Sequence, residues 1–219
     1  LYLLSHKPGT FCLTSPAKRL ARALIAEEET MTMHQTITMN GLDVKAAQET
    51  IEALEADSGL AKFQFRARNK WIDGGENRST IRDFYGAGEE DTSRTVDFEF
   101  ANGEPPVLLG RNERANPVEF LLHGLAGCVT TTLILHATMR GIVIRELSTE
   151  LEGDIDLYGL LGLNPSVSPG YQEIRIRMHI EADCSDNEVE ELLACAKAHS
   201  PVCNTVCRPV PVVLERVRG

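Results

Sequence analysis

Asn116-Pro117-Val118-Glu119-Phe120-Leu121-Leu122-His123-Gly124-Leu125-Ala126-Gly127-Cys128-Val129 is the stretch on which the reading of this chain turns. Asn116 is a residue type whose side chain accepts from the unpaired N–H groups of a helix start. Pro117 suits the first helical turn, where its missing N–H is not needed, and Glu119 stands where a capping box wants an acid. Apolar residues then continue round nearly the whole circumference toward Arg140, and Gly141 closes the segment. These signals predict a long helix over 117–140. A helix apolar on most faces must be surrounded by protein. One sheet covers only one side of it, so a partner subunit is expected to supply the rest.

Working outward, residues 43–57 predict a helix, because Val44, Ala47, Ile51 and Leu54 recur at helical spacing. Alternation of Phe63, Phe65, Ala67 and Trp71 with Arg66, Arg68 and Lys70 predicts a half-buried strand over 62–71. A turn at 73–77 leads to strands over 78–84 and 95–100. Beyond the long helix come a strand or hairpin over 144–158, an apolar loop over 159–170 and a strand over 174–180. A helix capped by Ser185 or Asp186 stops near Ser200, because Pro201 disfavours helix in the residue before it. Pro201 then opens a short helix with Ser200 as its N-cap. Pro209 and Pro211 mark a last strand, 210–217, as an edge. Few crossovers between separated strand pairs predict an α+β fold with mostly antiparallel sheet.

The chain has 219 residues and a net charge of −10. It is long enough for one sizeable core, or two small ones. Its acidity excludes a nucleic-acid binder, which needs a basic patch. Residues 1–42 read as an N-terminal extension, flexible or partly foreign to the rest, with Met31 or Met33 as a natural start. A targeting peptide there lacks a clear cleavage site. Residues 43–219 read as a single domain. No membrane partner is expected: the apolar stretch 120–135 is interrupted by His123, two glycines and three threonines, short of the ~20 apolar residues of a span.

The six cysteines are Cys12, Cys128, Cys184, Cys195, Cys203 and Cys207. They form no CxxC, and Cys203 with Cys207 has no second pair to complete a zinc site. No metal is expected from His123 and His136 either, because they are thirteen residues apart rather than four. Reduced thiols suit a cytoplasm. Cys128 lies three turns into its helix, where the dipole helps little, and burial there makes a thiol inert. Cys203 has two readings. It is the third residue of the short helix, where backbone N–H groups favour a thiolate, or it points into the core.

The Asn116-Pro117-x-Glu119 start, the helix bearing Cys128, the run Gly153-Asp154-Ile155-Asp156 and the run Ser200-Pro201-Val202-Cys203-Asn204 together resemble the OsmC/Ohr family of thiol-dependent hydroperoxide reductases, over roughly residues 60–217. The resemblance implies an intertwined homodimer, with antiparallel sheet wrapped on a long central helix and active sites at the subunit interface. It implies a thiolate at Cys128 that attacks an organic hydroperoxide, a second cysteine that closes a disulfide, and an external dithiol as reductant, with no bound cofactor. It also implies an arginine and a glutamate that assist the thiol. The chain departs from the pattern at three places. Ser200 stands where the family has its second cysteine, which leaves Cys203, about one turn on, as the candidate. Val118 stands where the helper glutamate is usual, with Glu119 rotated by about 100° along the helix. Arg78 most resembles the helper arginine, with Arg82 as competitor. The expected function is reduction of organic hydroperoxides at Cys128; the alternative is a catalytically weak or inactive dimer that binds a small apolar ligand.

Overall fold

The computed structural model describes residues 37–218. The predicted extension before residue 37 lies outside the described residues. Among the described residues the chain divides into two compact units, one made of 37–44, Cys128–Ser148 and 178–218, the other of Lys45–Gly127 and Thr149–Arg177.

In the second unit, helix α1 (Val44–Ala56) carries the predicted 3–4 spacing, and Asp57 caps the following 3-10 turn by accepting from the Gly59 N–H at 2.8 Å. Strands β3 (Arg68–Asp73), β4 (Glu76–Ile81) and β7 (Phe98–Asn102) form an antiparallel sheet in the order β3-β4-β7. Gly74 turns the β3–β4 hairpin at φ +50°. Strands β5 (Phe84–Gly86) and β6 (Glu89–Asp91) make a smaller hairpin through Ala87 and Gly88, both at positive φ, the geometry that matches strand twist.

The predicted strand 62–71 is displaced. Regular pairing starts only at Arg68, and before it Gln64 makes an isolated bridge to Tyr85. Phe63, Phe65 and Phe84 stack on one another instead of alternating into a core, with ring centroids 5.4 to 6.3 Å apart. All six residues of β3 are exposed, and Trp71, 68% exposed, donates its indole N–H to the Gly74 carbonyl. Its polar edge thus serves the turn.

The first unit opens with the two-residue strands β1 (Thr38–Met39) and β2 (Leu42–Asp43), joined through Asn40 and Gly41 at positive φ. The Asn40 amide donates to the Thr138 hydroxyl at 3.1 Å and the Ile142 carbonyl at 2.9 Å, and its oxygen accepts from the Ile144 N–H at 2.8 Å. One side chain thereby satisfies the chain where it leaves the long helix.

That helix, α2 (Pro117–Met139), starts and stops where its caps predict, with Gly141 at φ +74° beyond it. Leu125, Val129, Leu133 and Ala137, at four-residue spacing, form its buried stripe. Much of the remaining surface is apolar and open: Leu121 is 40% and Leu135 44% exposed. The expectation that interruptions keep this stretch short of membrane length does not hold. At 23 residues α2 is long and apolar enough to cross a membrane by length and composition. Its glycines and threonines add no charge, and Glu119 is its only acidic or basic residue besides histidine.

Strands β8 (Ile144–Asp154) and β9 (Glu173–Ala182) form a long two-stranded hairpin, tied at its ends by Asp183 N–H to the Val143 carbonyl and Gln172 N–H to the Asp154 carbonyl. The predicted strand 144–158 ends early because Asp156 caps the short helix α3 (Leu157–Leu160). Helix α4 (Asp186–His199) begins with a full capping box between Ser185 and Glu188, and α5 (Pro201–Cys207) follows. The predicted strand 210–217 does not form. Pro209 and Pro211 offer no N–H, no strand among the described residues pairs with the segment, and Val212 and Leu214 are 80% and 94% exposed. The fold is mixed α+β, with antiparallel sheets and one long helix.

Candidate active site

The site grows from the break between α4 and α5. Pro201 disfavours helical geometry at Ser200, and Ser200 accordingly has φ −66° and ψ 118°. It ends α4 by donating its N–H to the Ala196 carbonyl, and it starts α5 by accepting the Cys203 N–H on its hydroxyl oxygen at 3.3 Å. The Asn204 amide donates to the Ala198 and Ser200 carbonyls, both at 2.9 Å, which fixes the bend. Ser200 is completely buried.

A buried hydroxyl that accepts a hydrogen bond still has a proton to place. Ser200 donates it to the sulfur of Cys128, at 3.2 Å. The Val202 N–H, one of the unpaired donors of the α5 start, points at the same sulfur at 3.5 Å. Two donors therefore converge on the Cys128 sulfur. On the helix side, the Thr131 and Thr132 hydroxyls donate to the Cys128 carbonyl at 3.2 and 2.7 Å.

One expectation about the thiols needs correction. Cys128 is half-buried, not enclosed, because α2 buries a single stripe and Cys128 lies off it. Of the two readings of Cys203, the structure shows the core one: its side chain is buried, and burial, followed by the neighbouring Cys207, pushes its pKa up, while at the α5 start the Val202 N–H donates to Cys128. The sulfur of Cys203 is 3.9 Å from that of Cys207, which is exposed at the last position of α5.

Within one unit, the Ser200 hydroxyl joins the Cys128 sulfur to the backbone N–H of Cys203. Arg78 and Glu119 belong to the other unit. Arg78 lies exposed on β4, 3.8 Å from Glu99, and Arg82 faces Asp97 at 3.5 Å. Glu119 forms the predicted capping box with Asn116: its carboxylate accepts the Asn116 N–H at 2.8 Å, and its own N–H donates to the Asn116 side chain at 2.9 Å. Near it, the Tyr171 hydroxyl donates to the Val118 carbonyl at 2.9 Å, and burial, then the charge of Glu119, raises the Tyr171 pKa.

His136 and His199 stack with centroids 5.2 Å apart. Burial lowers the His136 pKa, as do the neighbouring His199 and Arg140. Among the described residues, Glu146, His179 and Glu181 bring metal-ligand types together, all exposed; His123 and His136 are not in that group. The apolar loop after β8 is open as well, with Leu161 57% and Leu163 64% exposed.

Sequence reasoning missed Ser200 as a donor, having taken it as a cap and as a lost cysteine. The Ser-Pro pair was the available signal: a buried N-cap serine needs an acceptor for its own proton.

Residues 110–215 match the family model described as OsmC-like protein. The segment from just before α2 to beyond α5 is thus similar to OsmC-like proteins. Solved structures similar to it include an OsmC-like protein from Mycoplasma pneumoniae, 19% identical, covering 66% of this chain and 87% of that one with a TM-score of 0.48. An organic hydroperoxide resistance protein, OsmC, from Legionella pneumophila is 19% identical over 65% and 88% of the two chains, with a TM-score of 0.46. Another organic hydroperoxide resistance protein, from Elizabethkingia anophelis, is 18% identical over 65% and 87%, with a TM-score of 0.44. No curated protein matches the chain significantly.

Proposed function

We propose that this chain is a thiol-dependent peroxidase that reduces organic hydroperoxides at Cys128. The observation that supports it is the pair of donors, Ser200 hydroxyl and Val202 N–H, aimed at the Cys128 sulfur. They hold the sulfur in place, and its thiolate is the nucleophile. The thiolate attacks the terminal oxygen of the hydroperoxide. The O–O bond breaks, the alcohol leaves with a proton, and Cys128 becomes a sulfenic acid. Half-burial leaves the sulfur within reach of substrate while its donors stay dry. Ser200 has no thiol to close a disulfide, so that role falls to Cys203: its sulfur displaces hydroxide from the sulfenic acid, water is released, and an external dithiol reduces the disulfide. No bound cofactor is required. The helper roles of Arg78 and Glu119 rest on the family resemblance alone.

The working form in this reading is a homodimer with the site at the subunit interface, in a reducing cytoplasm. Its support is the open apolar surface of α2, which a second copy would cover. Peroxide consumption with cumene hydroperoxide and dihydrolipoamide tests the function. Turnover that disappears in Cys128→Ser supports it. An apolar-ligand binder without redox chemistry shows no turnover, and its cysteines stay reduced after one equivalent of peroxide.

A further inference from the structure

Beside Cys203, the thiol that closes the disulfide in the reading above, stands a further sulfur, Cys207, that the peroxidase step does not use. Their sulfurs are 3.9 Å apart on one face of α5, and they differ in access: Cys203 is 7% exposed, whereas Cys207 is exposed at the helix end. A Cys128–Cys203 disulfide would join a half-buried sulfur to a buried one, so an external dithiol reaches it less readily than it reaches a bond that includes Cys207. Cys207 is open to solvent and already beside Cys203.

We propose that Cys203 and Cys207 form a relay that carries the oxidation of Cys128 to the surface; the relay rests on the peroxidase reading above. After Cys203 has closed the disulfide with Cys128, the Cys207 thiolate attacks the Cys203 sulfur. The Cys128–Cys203 bond breaks, Cys128 leaves as thiolate, and a Cys203–Cys207 disulfide remains. One disulfide replaces another, so the exchange consumes no oxidant. The external dithiol then reduces the exposed pair.

The helix supplies the mechanics. Residues four apart on a helix have Cβ atoms about 5–6 Å apart, whereas a disulfide holds them at about 3.5–4.5 Å. The last turn of α5 must therefore open for the bond to form. It is suited to open: α5 has seven residues, Cys207 is the last, and the chain beyond it has no regular structure. A disulfide formed against helix geometry is readily reduced, the property a transfer site needs.

Two arms test the relay, each read by peptide mass mapping of alkylated, unreduced protein. In Cys128→Ser, diamide is expected to produce an intramolecular Cys203–Cys207 disulfide, lost in the Cys128→Ser/Cys207→Ser variant. Its absence overturns the relay whatever the peroxide chemistry. In wild type, one equivalent of cumene hydroperoxide is expected to leave Cys203–Cys207 oxidised and Cys128 as thiol, while Cys207→Ser stops at Cys128–Cys203. Wild type stopping at Cys128–Cys203 overturns the relay and leaves the peroxidase reading standing. Cys128 unoxidised in every case overturns the peroxidase reading and the relay with it, and the diamide arm still shows whether the pair is a dithiol.

Discussion

Ser200 concentrates the chemistry of the site in one hydroxyl. It caps α5, ends α4 and donates to the Cys128 sulfur. A hydrogen bond to a charged group contributes about 1.5–3 kcal/mol. Ser200→Ala is therefore expected to slow the reaction of Cys128 with hydroperoxide about ten- to a hundredfold, with the cap loss costing about 1 kcal/mol of stability. Stopped-flow oxidation and thermal unfolding read the two effects separately, and Ser200→Thr, which keeps the hydroxyl, should retain most of the rate. His136 gives a second prediction. Its folded pKa lies below the ordinary 6.5, so the unfolded chain takes up a proton first. Its contribution to stability is complete above 6.5 and declines as pH falls through that value toward the folded pKa. The unfolding midpoint should drop on acidification in that window, and His136→Gln should flatten the drop. The sequence identified Ser200 as a cap because capping is local. It could not identify the acceptor, because Cys128 lies 72 residues away and only the folded chain brings them together.

At the scale of elements, legibility followed locality. The helix starts at Asn116, Ser185 and Ser200 were readable because each cap satisfies N–H groups within three residues. The strands at 62–71 and 210–217 were misread because a strand depends on a partner edge, and alternation alone does not provide one. The β8–β9 hairpin shows what pairing adds. Arg175 donates to Glu152, Asp154 and Glu173, and holds the carboxyls of Glu152 and Asp154 below their ordinary values of 4.5 and 3.8. Depressed carboxyl pKa values stabilise the fold above those values, and the contribution is lost as pH falls through the folded ones. Acid unfolding below about pH 4 should therefore be less steep in Arg175→Ala, which starts without that contribution; circular dichroism across pH 5 to 2 measures it.

Many large apolar side chains of the described residues are exposed. The open faces of α2, the Phe63–Phe65–Phe84 stack, Trp71 and the Val210–Leu214 segment all contribute. A sedimentation mass of two chains at micromolar concentration is expected, and Leu135→Glu, which places charge on the open face of α2, should shift it toward one. The overall α+β class was readable from element order, whereas the division into two units was not, since it depends on contacts between distant segments. The role of Cys128 remains the centre of the account, and steady-state consumption of cumene hydroperoxide with dihydrolipoamide tests it most directly. Turnover is expected in wild type, abolished in Cys128→Ser and reduced in Ser200→Ala. No turnover in wild type, or turnover unchanged in Cys128→Ser, would contradict it.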